Sequence, residues 1–395
     1  MDKRGKKIYP ALLSAVLLLS GCISDYEHPD IRSGESLLVV EGFITDHTTT
    51  IKLSQSVGLT EELASAPPVR NAEVWVETDG GGRMIGYADY KTGIYHVETG
   101  ELDANTEYRL RIVLDGKEYA SEFLKPVFTP PVSGIDSYKK EKGEPIQILL
   151  STQGDPSGSP YYKWEYEEIW EVHPPLYANA YLEDPPWGTP IISSEYNGHT
   201  PYYYAWKYAR SNSIYVGNTS AHSENRIEKL KLFEVEPDDD RFMSLYYINV
   251  RQNSLRRESY EYFSQLKTDM EEIGSIFAPV PSELKGNITC TSDPDIPVIG
   301  YVEVSTTTEI KVFIENNGLY EIPRNDNCYI LTTGSINDFS GAEEMGLNPH
   351  EFTIYLYFPE SIPPVISYAI KKCVDCRYIP GATKIKPDFW PNDHK

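Results

Sequence analysis

The scarcest reactive side chains in this 395-residue chain are its five cysteines. Cys22 closes the run Leu19-Ser20-Gly21-Cys22, Cys290 and Cys328 stand alone, and Cys373 and Cys376 form a C-x-x-C pair. Such a pair carries redox chemistry when it opens a helix in a βαβ unit, where the helix terminus favours a thiolate. No βαβ pattern surrounds Cys373 and Cys376, which lie in a polar tail after Ile362-Pro363-Pro364. Four thiolates could also hold zinc, but only one C-x-x-C pair exists and the other two cysteines are far apart. Structural disulfides are the expected use. Cys290, Cys328, Cys373 and Cys376 allow up to two bridges in three connectivities, and one arrangement pins the tail to a strand carrying Cys328.

Side chains suited to hydrolysis are plentiful without forming a signature. The histidines at 28, 47, 96, 173, 199, 222, 350 and 394 include no H-x-x-x-H or H-E-x-x-H pair, so the spacing a zinc protease needs is missing. There is no G-x-S-x-G elbow and no Walker-type loop. The glycines at 80–82 precede a predicted strand rather than a helix, which removes a phosphate cradle. Glu165, Glu167 and Glu168 lie beside Trp164 and Trp170, and a glycosidase needs two carboxyls roughly 5–10 Å apart in a cleft. With 59 acidic residues such neighbours also arise by chance. The run Glu236-Pro237-Asp238-Asp239-Asp240 offers oxygen ligands for calcium but lacks the spacing of a dedicated loop and reads better as a solvated hairpin tip. No catalytic residue, metal or cofactor is expected.

The elements that position these groups begin with a basic head at Lys3, Arg4, Lys6 and Lys7 and an apolar core from Ala11 to Leu19. Nine residues are too few to cross a bilayer, which takes about 20. Residues 1–21 therefore read as a signal peptide, and Leu-Ser-Gly-Cys resembles the lipobox, in which the cysteine is acylated. An ordinary signal peptide with a chance cysteine is the rival. Lipidated Cys22 would anchor without spanning, since more than one acyl chain gives stable attachment. Residues 22–35, with Ser24, Asp25, Glu27 and Asp30, read as an acidic tether and resemble an export signal for surface lipoproteins. The expected location is the outer membrane, lipid-anchored and facing the cell exterior. A net charge of −23 argues against nucleic acid as partner.

The body is predicted to be mainly β. Short strands between Leu37 and Phe123 recur at about 8–12-residue spacing, with Val74 and Val76 on one face of Ala72–Thr78. They predict an immunoglobulin- or transthyretin-like β-sandwich over 36–130, closed by Pro126, Pro130 and Pro131. A larger β-rich domain with one packed helix follows over 131–395. In Tyr161–Val172, Tyr162, Trp164, Tyr166, Glu168 and Trp170 share one face. The long stretch 173–209 is rich in Pro, Tyr, Trp and Asn. Its Tyr202, Tyr203, Tyr204 and Trp206 are a candidate binding surface, with packing on the chain's own sheet as the alternative. A helix is expected at about 255–273, capped by Ser254, with Leu255, Tyr262, Phe263, Leu266, Met270 and Ile273 as its apolar stripe and Gly274 at its end. Thirty tyrosines against twelve phenylalanines suit half-wet sheet surfaces.

Several stretches together resemble one bacterial lipoprotein family, domain of unknown function 4249. They are VVEGFITD at 39–46, YYKWEYEEIWEV at 161–172, RRESYEYFSQLK at 256–267 with IFAPVPSELKGNI at 276–288, and CVDCRYIPGATKIKPDFW at 373–390. The resemblance runs over roughly 36–390, with Pro380-Gly381 departing from an expected glycine pair. It implies an outer-membrane lipoprotein that works beside a TonB-dependent transporter in nutrient uptake, and it carries over no catalytic residue. The expected function is a non-catalytic binding or accessory component whose ligand the sequence does not name. A surface hydrolase built from dispersed carboxylates, or an adhesive surface protein, are the alternatives.

Overall fold

The structure, a computed structural model, describes residues 36–56, 66–89, 91–183, 191–194, 200–272, 285–321, 328–333, 340–358, 360–363 and 365–391. The signal segment, Cys22 and the acidic tether lie outside the described residues. The chain is mainly β, with one long helix.

The N-terminal module is one sheet folded over on itself into a sandwich. Its strands are β1 (Leu38–Ile44), β2 (His47–Gln55), β3 (Glu73–Thr78), β4 (Arg83–Asp89), β5 (Ile94–Gly100), β6 (Tyr108–Leu114) and β7 (Lys117–Ser121). The alternation of inward and outward side chains is cleanest in β6. In β6, Tyr108, Leu110, Ile112 and Leu114 point inward and Arg109, Arg111 and Val113 outward, the period-2 pattern of a half-solvated strand. The fold-over occurs in β4, whose first half pairs with β3 and second half with β5. Gly86 sits at the switch. A Cβ there would lie 2.8 Å from the Val74 carbonyl oxygen and 3.0 Å from Val97 Cγ2, so only glycine lets the strand pass between leaves. Ile44, Ile51, Leu53, Val76, Val97, Leu110 and Ile112 fill the space between them.

Residues 36–130 do not complete this module. Three short strands from beyond the helix join it: β17 (Ile288–Cys290) pairs with β7, while β18 (Val298–Ile299) and β19 (Glu303–Val304) run parallel to β1. The sandwich is thus built from two separate stretches of chain. Strand character over Val298–Ser305 is readable in the sequence, but its pairing with a module so distant in the chain is not, which is why the expected boundary near 130 did not anticipate it.

The second module has its own core between two sheets. One is β15 (Arg226–Val235), β9 (Ile146–Gln153) and β8 (Val132–Lys139). The other runs β13 (Ala205–Arg210), β10 (Tyr161–Val172), β16 (Leu245–Leu255) and β20 (Thr307–Glu315), with β14 (Tyr215–Asn218) also on β10. The inner face of β10 carries Tyr162, Trp164, Tyr166, Glu168 and Trp170. They meet Ile146, Ile148 and Leu150 of the facing sheet, and Tyr166 stacks on Phe233 with ring centroids 4.4 Å apart. The buried Trp164 indole donates to Gln252 Oε1 at 2.7 Å, and the Gln252 amide donates to the Pro130 carbonyl at 2.7 Å, so this core leaves those polar groups partnered.

The helix α1 runs Arg257–Glu272, and its start corrects the expected cap. Ser254 and Leu255 are the last residues of β16, paired with Tyr162 and Tyr161. Sheet pairing therefore overrides the local capping signal. Tyr262 is buried, Phe263 and Leu266 are half-buried, and Met270 is exposed; Ile273 and Gly274 lie outside the described residues. The helix bridges the modules, with Phe263 against Phe43 of the first and Tyr260 stacked on Tyr161 of the second. Beside it the fully buried Glu303 receives the Arg256 guanidinium and, at 2.9 Å, the Arg256 backbone N–H. Burial pushes the Glu303 carboxyl up despite that cation.

A third, smaller sheet of β21 (Ile330–Thr333), β23 (Val365–Ile370) and β22 (Phe352–Phe358) packs under the short helix α2 (Ser340–Glu344), and β11 (Ala180–Glu183) pairs with β12 (Ile191–Ser194) in a separate ribbon. From it, residues 371–391 return across the second module.

Candidate functional site

The return of the tail makes a groove. The outer face of the β13-β10-β16-β20 sheet carries side chains in rows set by register. Tyr208, Ile169, Tyr247 and Phe313 form one row; Arg210, Glu167, Asn249 and Lys311 form the next. Phe389 of the tail lies against the first row, its ring centroid 4.7 Å from that of Tyr247 and 6.2 Å from that of Phe313. The Tyr208 hydroxyl donates to the Ile385 carbonyl at 3.0 Å and ties the tail to β13. Between these walls lies a groove of about 480 Å³, within the range of roughly 300–1,000 Å³ for small-ligand sites.

Its electrostatics are balanced. Glu167 pairs with Arg210 at 3.3 Å and Arg251 at 3.1 Å, and Glu309 pairs with Arg251 and Lys311, each at 3.2 Å. Arg210, Arg251 and Lys311 each have a carboxylate beside them. Burial pushes the Tyr208 and Tyr247 hydroxyls up, so both stay neutral near pH 7. The Asn249 side-chain oxygen is enclosed beneath the floor without a hydrogen-bond partner in the protein, on a residue only 7% exposed.

The tyrosine run expected to form a surface turns inward instead. Tyr203 is 2% exposed and stacks between His173 and Tyr177, with its hydroxyl 2.9 Å from His173 Nδ1. Trp206 is buried edge-on against Trp390. Tyr202 lies under the Arg377 guanidinium at 3.6 Å and Lys384 at 4.2 Å, and Tyr204 packs edge-on to Tyr203. The physical reason is the tail, whose Thr383 exchanges both backbone hydrogen bonds with Trp206. Of the stretch 173–209, residues 184–190 and 195–199 lie outside the described residues.

The four candidate disulfide cysteines separate into one bridge and two thiols. Cys328 and Cys373 are bonded, with Cα atoms 5.8 Å apart, which joins the tail to the segment entering β21. Cys290 and Cys376 are free and buried. The C-x-x-C residues occupy successive 3-10 turns, Lys371–Cys373 and Cys376–Tyr378, and Cys376 Sγ faces the Tyr204 carbonyl at 3.4 Å. Burial pushes the Cys376 thiol up to about 11, the reverse of what a nucleophilic cysteine needs.

The carboxylates nominated for hydrolysis do not converge. Neighbours on a strand point to opposite faces, so Glu167 faces the groove while Glu168 is buried on the core side. There Glu168 accepts from Tyr246 at 2.7 Å and Arg241 at 3.1 Å, and burial pushes its carboxyl up. Glu165 is paired with Lys163, whose charge holds its carboxyl below the usual range. In the acidic run, Asp239 binds Arg241 at 2.6 Å, and Asp240 binds Lys207 at 2.5 Å and the Trp170 indole at 2.8 Å. Those oxygens serve the fold, and among the described residues no group of three metal-ligating side chains forms.

Tyr208, Arg210, Tyr247, Asn249 and Lys311 escaped the sequence reading. The available signal was the outward half of the β10 alternation, whose cross-strand partners were unknown until the register was.

Among proteins of curated function, none matches the chain. Of solved structures, a two fibronectin type-III domain segment from chicken tenascin is similar at 15% identity, covering 56% of this chain and 91% of that one at a TM-score of 0.17, a likeness too slight to argue from. The model of the family described as domain of unknown function (DUF4249) matches residues 25–311. That match contains β10, β16 and α1, ends within β20, and stops before the C-terminal cysteine motif. The chain belongs to the DUF4249 family.

Proposed function

We propose that this protein is a non-catalytic binding component, held at the outer membrane by acylated Cys22 and working beside a TonB-dependent transporter in nutrient uptake. The observation that carries the binding role is the groove between β13, β10, β16 and Phe389. It combines exposed rings with a paired set of charges and holds no nucleophile beside a base, the composition of a recognition site rather than a reaction centre. The anchor rests on the lipobox and the tether that follows it. A body of three packed modules on such a tether would hold the groove outside the membrane, within reach of a β-barrel partner.

Two measurements test this. Mass spectrometry of the protein from its native membrane is expected to show an acylated Cys22 as the first residue; an unmodified cysteine would remove the anchor. Affinity capture in mild detergent is expected to bring down a β-barrel transporter. Recovery of the lipoprotein alone would reduce the role to ligand binding without a transport partner.

A further inference from the structure

The chain is strongly acidic, yet one stretch of it is the reverse. Residues 371–387 carry five cations (Lys371, Lys372, Arg377, Lys384 and Lys386) against one carboxylate, Asp375, in a chain of net charge −23. The fold gathers most of them around two rings. The Tyr202 ring has the Arg377 guanidinium at 3.6 Å and the Lys384 ammonium at 4.2 Å from its centroid; the Tyr378 ring has Lys371 at 5.1 Å and Arg377 at 5.9 Å. Lys372, Arg377, Tyr378 and Lys384 are exposed. We infer that this face of the tail is a docking surface for anionic lipid headgroups, which turns the body on its tether toward the membrane; this rests on the Cys22 anchor proposed above.

The charges and their company select that partner. Asp375 is buried and takes the Arg377 guanidinium with both oxygens, 3.0 Å from Nε and 2.5 Å from Nη2. Among the described residues, Lys371, Lys372 and Lys384 meet no carboxylate. Like charges gathered without a counter-charge repel one another, so the patch favours an anion brought from outside. An acidic protein segment is best held by an arginine fork, and the fork here is already occupied. What remains are lysine ammoniums, point charges on flexible stems, which suit a fluid array of phosphates. Apolar groups stand among them, with Ile385 75% exposed beside Lys384 and Tyr378 43% exposed. Lysine mixed with aromatic and aliphatic side chains is the composition that rests at a headgroup boundary. The acidic remainder of the surface is repelled by the same phosphates, so the patch also fixes which face meets them.

The test places the acylated full-length protein, extracted from its own membrane, in nanodiscs of phosphatidylcholine alone or with about 30% phosphatidylglycerol. The rate of amine acetylation at individual lysines is then read by mass spectrometry. Expected on the anionic nanodiscs is slowing of at least about three-fold at Lys371, Lys372 and Lys384, lost in about 0.5 M salt. Exposed Lys117 and Lys229, on other surfaces, should keep their rates. Lys372→Glu, at an exposed side chain, should remove at least about half of the protection at Lys371 and Lys384. Protection equal on both lipids, spread evenly to Lys117 and Lys229, or unmoved by Lys372→Glu would overturn the inference. Slowing by added polyglutamate but not by phosphatidylglycerol would also overturn it, in favour of an acidic protein partner. Protein that joins only the anionic nanodiscs would overturn the anchor and support the patch; protein that joins neither would overturn both.

Discussion

Two aromatic clusters meet at β13 and Trp390, and they differ in how their rings were brought together. Tyr202, Tyr203, Tyr204 and Trp206 are nearly contiguous in sequence and largely buried, capped by Arg377, Lys384 and Trp390. Tyr208, Phe313 and Phe389 come from three distant segments and stand partly open on a sheet face around the buried Tyr247. A run of consecutive rings in a loop cannot point one way, so it collapses on itself and recruits whatever crosses it. Rings at matched register positions all point one way, and they stay open unless another layer covers them. Beside β13, then, the open rings were placed by register and tail return, and the packed run by proximity in sequence.

The sharpest way to break that comparison is to truncate one ring from each cluster. Tyr203→Ala removes a fully packed ring from between His173 and Tyr177 and should destabilise by about 3–5 kcal/mol, the range for aromatic core truncations, read as the shift in the denaturation midpoint. A loss near zero would mean that the inward cluster is not core. Next in size is the bridge that carries the tail. Cys328→Ser, or reduction, opens a loop of 45 residues' separation and should cost about 2–4 kcal/mol. Limited proteolysis should then cut within 374–391 first, since Phe389 and Trp390 hang from that tether. Protection of the tail after reduction would show that the packing of Trp390 alone secures it.

How far these features could be read beforehand depends on the distance over which each is decided. The inward face of β10 is local, and its alternation of Tyr162, Trp164, Tyr166 and Trp170 was plain. That this long strand packs over a core followed from it, though the facing sheet did not. The helix start was misplaced because Ser254 satisfies a cap rule that is local, whereas its pairing with Tyr162 is not. The C-x-x-C spacing was visible, but the partner of Cys373 is decided 45 residues away. The groove is the least legible feature. Its floor needs the β10–β16–β20 register and its wall needs the tail's return, and neither leaves a periodicity in the chain.

Burial of charge separates the two faces of β10 as well. Glu168, on the core side, has its carboxyl pushed up by burial, so the folded state holds its proton more tightly than the unfolded chain. Its contribution to stability is complete below the ordinary glutamate range and is lost as pH rises through the raised value. Glu168→Gln should thus be less destabilising, relative to the native protein, at about pH 7 than at about pH 4. A penalty that grows with pH would mean that the Arg241 pair outweighs desolvation.

The smallest effect belongs to the groove's own charges, and it tests whether they cancel. Arg251 touches Glu167 and Glu309, yet each keeps a second cation when Arg251 is removed, Arg210 for the first and Lys311 for the second. These side chains are substantially exposed, so the pairs are weak and screened. Arg251→Ala should cost no more than about 1 kcal/mol, shrinking further in about 1 M salt, as measured by denaturation at both ionic strengths. A larger, salt-independent loss would make the row a cooperative network that holds β10, β16 and β20 in register. The open face would then be as much a part of the fold as the buried one, and the contrast between the two ring clusters would narrow to exposure alone.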